Sequence, residues 1–159
     1  MRPGLHLALL TAALITLGPA THADEVGRVG VDWVGNDIVI DAFPDPKVQG
    51  VICHVAYFDR SVIDRLQQGN WFEDPSYSAV DCSQTGPIVL NDIDEGPSGE
   101  AVFSESRSLI FKSLRVTRIW DKTNNMLVYL AHANELTQGS GKMSISTVAL
   151  PPGAAPTGN

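Results

Sequence analysis

Residues 108–133, SLIFKSLRVTRIWDKTNNMLVYLAHA, leave the chain few ways to fold. Two runs of β-branched and aromatic residues flank the polar turn Asp121-Lys122-Thr123-Asn124-Asn125. Val116, Thr117, Ile119, Trp120, Val128 and Tyr129 suit a pleated, half-buried surface, and a five-residue turn of this composition closes two antiparallel strands. Leu127, Leu130 and Ala131 also have helical spacing, but Val128-Tyr129 directly after such a turn favours strand. The reading is a long β-hairpin. A hairpin alone is not stable in water, so the remaining chain must supply further strands with a shared apolar face.

Those strands are visible on both sides. Residues 30–34 and 37–43 read as a pair around a Gly35-Asn36 turn. In the second, Ile38, Ile40 and Ala42 share one face and Asp37, Val39, Asp41 and Phe43 the other, before Pro44-Asp45-Pro46 stops the ladder. Residues 50–58 are apolar on both faces, which predicts a central strand. Residues 61–68 begin on Ser61, carry Val62, Ile63 and Leu66 at helical spacing and stop at Gly69, so one short helix is expected there. Residues 80–82 and 88–90 read as short strands around a Gly86-Pro87 turn, 100–104 as a strand into the hairpin, and 142–150 as the last strand. The expected fold is mainly β (α+β with one short helix): an antiparallel sheet of six or more strands, curled or packed as a sandwich or partial barrel. It occupies residues 24–150, and the Pro- and Gly-rich residues 151–159 are expected to be a disordered tail.

Residues 1–23 carry Arg2, an apolar run over 5–18 and the small-x-small triplet Thr21-His22-Ala23, the pattern of a cleaved export signal. The run is too short to span a bilayer, so a periplasmic protein that does not cross the membrane is expected. The chain of 159 residues has a formal charge of −7. Losing Arg2 with the leader leaves ten bases against eighteen acids, a charge of −8, which repels phosphate backbones and argues against nucleic-acid binding. Cys53 and Cys82 are the two cysteines, and an even count in an exported chain favours a disulfide, two buried thiols being the alternative. Closing the 28 residues between them stabilises by roughly 3–4 kcal/mol on a loop-entropy argument.

Chemistry has little local support. His54 adjoins Cys53, but neighbouring strand residues point to opposite faces, which defeats a nucleophile–base pair. After the leader only His54 and His132 remain, and a metal would need both together with carboxylates from distant segments. Asp92, Asp94, Glu95 and Glu100 miss the spacing of a calcium loop, and Gly139-Ser140-Gly141-Lys142 lacks the rest of a phosphate loop. Asp37 and Asp41 stand ~13 Å apart along a strand and read as surface charge. Arg107, Lys112, Arg115 and Arg118 form a basic cluster and are weak candidates for anion contacts. Parity puts Lys112 and Arg118 on one face and Arg107 and Arg115 on the other, so pairing with the many acids is the favoured reading. Trp71, Phe72 and Tyr77, in a loop inside the cysteine-bounded segment, are the expected contact surface.

Several stretches together resemble one family. Asp24-Glu25-Val26-Gly27 after an exported start, Ala42-Phe43-Pro44-Asp45-Pro46, Val51-Ile52-Cys53, Cys82, Gly86-Pro87-Ile88, Phe111-Lys112-Ser113-Leu114, Tyr129-Leu130-Ala131 and Ile145-Ser146-Thr147-Val148 resemble the CreA family of bacterial proteins. The chain departs from that pattern over residues 58–74. The resemblance implies a small periplasmic protein of Gram-negative bacteria with no established biochemical activity, no catalytic residues and no cofactor to carry over. The family name derives from a locus linked to catabolite regulation. The expected function is a non-catalytic domain that binds a periplasmic protein or small ligand, in a catabolite or stress response. The alternative is an enzyme or metal-dependent protein using His54 and His132.

Overall fold

The structure, a computed structural model, describes residues 23–68, 78–104, 114–133 and 143–157. Among these the chain runs β1 (Asp24–Gly30), β2 (Asp37–Pro44), β3 (Val48–Asp59), α1 (Val62–Gln68), β4 (Ser78–Leu90), β5 (Glu100–Ser104), β6 (Leu114–Asp121), β7 (Met126–Ala133) and β8 (Ser144–Ala149). The fold is mainly β with one short helix. The strands do not form one sheet of six or more. They divide into two antiparallel sheets of four, in the orders β1-β2-β3-β4 and β5-β6-β7-β8.

β6 and β7 pair residue for residue from Leu114 with Ala133 to Asp121 with Met126, which is the expected hairpin over its described length. Its turn is held by Asp121, which accepts from the Asn124 N–H at 3.0 Å and the Asn124 amide at 2.7 Å. Asn125 takes the left-handed backbone (φ 53°) that Asn tolerates better than most residues. β3 lies between β2 and β4, central as expected. α1 also forms where expected, and the Ser61 hydroxyl caps it by accepting the Asp64 N–H at 3.3 Å.

Four local expectations are corrected. Residues 31–34 are loop, because Asp32 accepts the N–H groups of Val34 and Asn36 at 3.0 and 3.1 Å and bends the chain, so the first strand is 24–30 instead. Residues 80–82 and 88–90 belong to one strand, β4. Gly86-Pro87 is an irregularity within it, opposite the register shift between Gln49 and Val51. Gly50 sits at that shift with φ 79°, where a Cβ would overlap the carbonyl oxygens of Pro87 and Gly86. Gly50→Ala is therefore expected to cost at least the 1–3 kcal/mol of a forced left-handed residue, about 2 kcal/mol or more, read as a lower urea midpoint. The third correction concerns residues 151–157, which are docked and not a free tail. The Thr157 N–H and hydroxyl both donate to the Leu90 carbonyl, at 2.8 and 3.0 Å, and Ala154 packs on the core. Ala23, placed at the expected leader cut, is also buried against that core.

The fourth correction concerns Asp41, expected as surface charge, which lies on the face of β2 that points inward. Val39, Asp41 and Phe43 are buried, and the wholly apolar Ile38, Ile40 and Ala42 face away. Asp41 is tolerated inside, and is not surface charge, because the Tyr57 hydroxyl donates to it at 2.8 Å. The inner faces of both sheets share one cluster that includes Val51, Val55, Val116, Leu127 and Val148. Phe43 of one sheet stacks on Phe103 of the other, ring centroids 4.6 Å apart, each ring contributing ~1.5–3 kcal/mol by burial. Phe103 follows buried Val102 directly, because a register shift between Ala101 and Phe103 turns two successive side chains inward. The seam between β4 and β8 is made by side chains: Ser144 and Ser146 hydroxyls accept the N–H groups of Val80 and Cys82 at 2.9 and 2.8 Å.

Candidate functional site

Cys53 and Cys82 face each other across β3 and β4 and form a disulfide, Cα atoms 4.0 Å apart. Both sulfurs belong to the core cluster, so the bond is structural and not a reactive centre. His54, one residue on, is exposed on the outer face, as strand parity requires. His132 lies on the outer face of the other sheet, beside buried Ala131, with its Nε2 3.0 Å from the Thr117 hydroxyl. The core separates the two imidazoles, so they cannot share an ion. Among the described residues no group of three or more His, Cys, Asp and Glu side chains gathers to hold a metal.

The strongest polar assembly is buried and spans both sheets. Asp45, in the Pro44-Asp45-Pro46 turn between β2 and β3, accepts the N–H groups of Lys47 and Val48 at 2.9 Å each. The same carboxylate is ion-paired with Arg118 of β6, itself only 1% exposed, and accepts the Tyr129 hydroxyl of β7 at 2.8 Å. Arg118 also pairs at 2.7 Å with Glu100, its cross-strand partner on β5, and Glu100 takes Lys47 at 2.6 Å. Burial first, and then the Asp45 charge, push the Tyr129 phenol well above its ordinary range, so it stays a donor. Every strong group here is consumed by another. The assembly is a clasp between sheets and offers no free acid, base or nucleophile.

Arg118 is thus lost as an anion contact, and the preference for ion pairing holds for it. Arg115 lies on the opposite face of β6, across from His132, and Arg107 and Lys112 lie outside the described residues. Residues 139–142 also lie outside. The acidic loop does not converge on a cation: Asp94 accepts the Gly96 N–H at 2.7 Å and Glu95 pairs with Lys122 at 2.6 Å.

The exposed chemistry lies on the outer side of the first sheet. Val29 of β1, Ile38 of β2 and Phe58 of β3 are register neighbours there. Val29 and Phe58 are exposed, and so is Val31 where the chain leaves β1. The loop that follows carries Trp33, which is 94% exposed. Ser61, at the start of α1, donates its N–H to the Asn36 side chain at 3.0 Å, which fixes the helix beside this loop. α1 then presents Val62, Ile63 and Leu66 outward, at 64, 55 and 59% exposure. Between loop and helix is an open cleft of about 350 Å³ lined by Val31, Asp32, Asn36, Phe58, Arg60 and Asp64. Exposed apolar side chains gathered on one side of a domain are a mark of an interaction surface.

The loop is built to keep its shape. The Asn36 N–H leads the donors that hold the Asp32 carboxyl below its ordinary value of 3.8, and Asn124 does the same for Asp121 in the hairpin turn. A carboxyl depressed on folding stabilises the protein above its unfolded value and ceases to do so as pH falls through the folded one. Denaturant midpoints are therefore expected to decline as pH drops below about 4, with a shallower decline in Asp32→Asn.

Sequence reasoning missed Trp33 because residues 30–34 alternate like a strand. The signal against it was Asp32 and Asn36 bracketing Gly35, a turn composition. Trp71, Phe72 and Tyr77, the expected contact surface, lie outside the described residues.

Comparison with known proteins agrees with the resemblance. The family model described as CreA protein matches residues 26–153. Protein CreA from Escherichia coli K12 is 42% identical over 151 residues, covering 91% of this chain and 94% of that protein, and the CreA proteins of the O6:H1 and O157:H7 strains match equally. No solved structure matches the chain. With the matched region running from β1 to past β8, and identity of this order over nearly the full length of both chains, the protein belongs to the CreA family.

Proposed function

We propose that this CreA-family protein is an exported, periplasmic binding domain that does no chemistry of its own and docks a protein partner on the outer face of its first sheet. Export is supported by the leader pattern of residues 1–23, by strand β1 starting at Asp24, and by a disulfide, which is made in an oxidising compartment. Among the described residues no helix is long and apolar enough to cross a membrane. The absence of chemistry is supported by the separation of His54 from His132 and by the closed Asp45 clasp. A link to catabolite regulation is what the family's name implies.

The observation that carries the reading is Trp33 at 94% exposure beside an exposed apolar helix. Tryptophan is over-represented where partners meet, since it brings a large apolar area with few rotatable bonds. Trp33→Ala combined with Ile63→Ser is expected to leave the urea midpoint within about 0.5 kcal/mol of the parent, because neither side chain is buried. The same variant is expected to abolish recovery of a periplasmic partner in affinity pull-down. Undiminished recovery would refute docking at this face. A second reading, a small ligand, is favoured by the cleft, whose volume of about 350 Å³ and mixed lining fall within the range of small-molecule sites. Saturable binding lost in Asn36→Ala but kept in Ile63→Ser would select it.

A further inference from the structure

On the other sheet, and independently of the docking face, we infer that Arg115 and Thr117 of β6 form a site for a small oxyanion, a carboxylate or a phosphate. Among the described side chains Arg28, Lys47, Arg60, Arg118 and Lys122 each pair with a carboxylate. Arg115 does not. It is partly buried, and its Nε is covered without a hydrogen-bond partner. A buried N–H with no acceptor costs free energy, and a chain with eighteen acids had acceptors to supply. The charge is thus uncompensated in a partly desolvated setting, where a neighbouring anion counts for more than it does in water.

The surroundings on this face are free of acid. Arg115 has His132 across from it on β7, and Thr117 has Leu130 and then Ile145 of β8. The next carboxylate on this side of β6 is Asp121, ~20 Å along the strand and bonded to Asn124. The Thr117 hydroxyl lies 3.0 Å from the His132 Nε2. With that nitrogen donating to the threonine oxygen, the hydroxyl keeps its own hydrogen for a ligand. Arg115 and Thr117 stand two residues apart on one face, ~7 Å between Cα atoms, so one oxyanion can accept from the hydroxyl and from the terminal nitrogens of the long arginine. The planar guanidinium suits carboxylate and phosphate alike. A cation would meet like charge there, and a neutral ligand would leave the arginine as it is.

The test titrates the processed protein with sodium phosphate and with sodium acetate, at fixed ionic strength made up with chloride, and follows the arginine side chains by NMR. A saturable shift at Arg115 is expected with at least one of the two anions. Affinity is expected to fall about tenfold in Arg115→Gln, by a smaller factor in Thr117→Val, and not at all in Trp33→Ala, which lies on the other sheet. The urea midpoint is expected to rise with that anion more in the parent than in Arg115→Gln. Equal anion dependence in the two proteins overturns the site. Arg115→Met keeps the side-chain stem and is expected to leave the midpoint in chloride alone unchanged or raised. A lowered midpoint would give the guanidinium its partner inside the protein and also overturn the site. Phosphatidylglycerol vesicles held by the parent and released by Arg115→Gln would identify the oxyanion as a lipid headgroup; saturation by free phosphate or acetate with no vesicle binding would identify it as a soluble anion.

Discussion

Asp45→Ala is expected to destabilise the protein by about 3–5 kcal/mol, the range for removing one partner of a buried ion pair. The carboxylate accepts four bonds, from Arg118, Tyr129 and the Lys47 and Val48 N–H groups, and alanine replaces none of them. Arg118 would remain 1% exposed with only Glu100, on the rim, to balance it. Against a total of about 5–15 kcal/mol for a domain of this kind, such a loss puts the variant near its unfolding threshold. Arg118→Met is expected to fall in the same range for the converse reason, and Tyr129→Phe nearer 1 kcal/mol, since a single hydrogen bond is removed. Asp45→Asn combined with Arg118→Met keeps the acceptor for the turn and removes both charges, so it is expected to be milder than either loss alone. Urea midpoints for the four variants decide this. A loss below about 1 kcal/mol for Asp45→Ala would show that the clasp does not hold the sheets together.

The second large effect is expected from the disulfide. Replacing Cys53 and Cys82 together by alanine frees a closed segment of 28 residues and is expected to cost roughly 3–4 kcal/mol, on the order of 10 °C in Tm. The sulfurs lie in the core cluster, so added thiol is expected to leave the folded protein oxidised and to act once denaturant opens the sheet. Mass spectrometry after alkylation at increasing urea reads this directly. Rapid labelling without denaturant would show that the bond is reached from solvent.

Local features were legible in the sequence to the extent that they depend on near neighbours. The β6–β7 hairpin, the Ser61 cap and the opposite orientations of Cys53 and His54 all follow from spacings of a few residues. Parity also separated Arg115 from Arg118 correctly. The clasp was not legible, since Asp45 lies 73 residues from Arg118 and 84 from Tyr129, and Pro44-Asp45-Pro46 reads locally as no more than a stop. The inward face of β2 was hidden for a related reason. A pattern weighing apolar content puts Ile38, Ile40 and Ala42 inside, and the actual choice depends on Tyr57 being in register to satisfy Asp41. That inversion leaves isoleucines on the outside, and with them the candidate face. Two sheets in place of one follow from contacts as remote, such as the serine hydroxyls of β8 reaching the backbone of β4.

The stacking of Phe43 on Phe103, together with the pairing of Asp45 with Arg118 and Tyr129, sets an order on assembly. During synthesis or threading from the N-terminus, the first four strands emerge while the counter-ion and the opposing aromatic ring are still to come. Until Phe103, and then Arg118 and Tyr129, have followed, the first four strands keep a bare phenyl ring and an uncompensated carboxylate. Such an intermediate is expected to be cut by proteases and held by chaperones more readily than the finished domain.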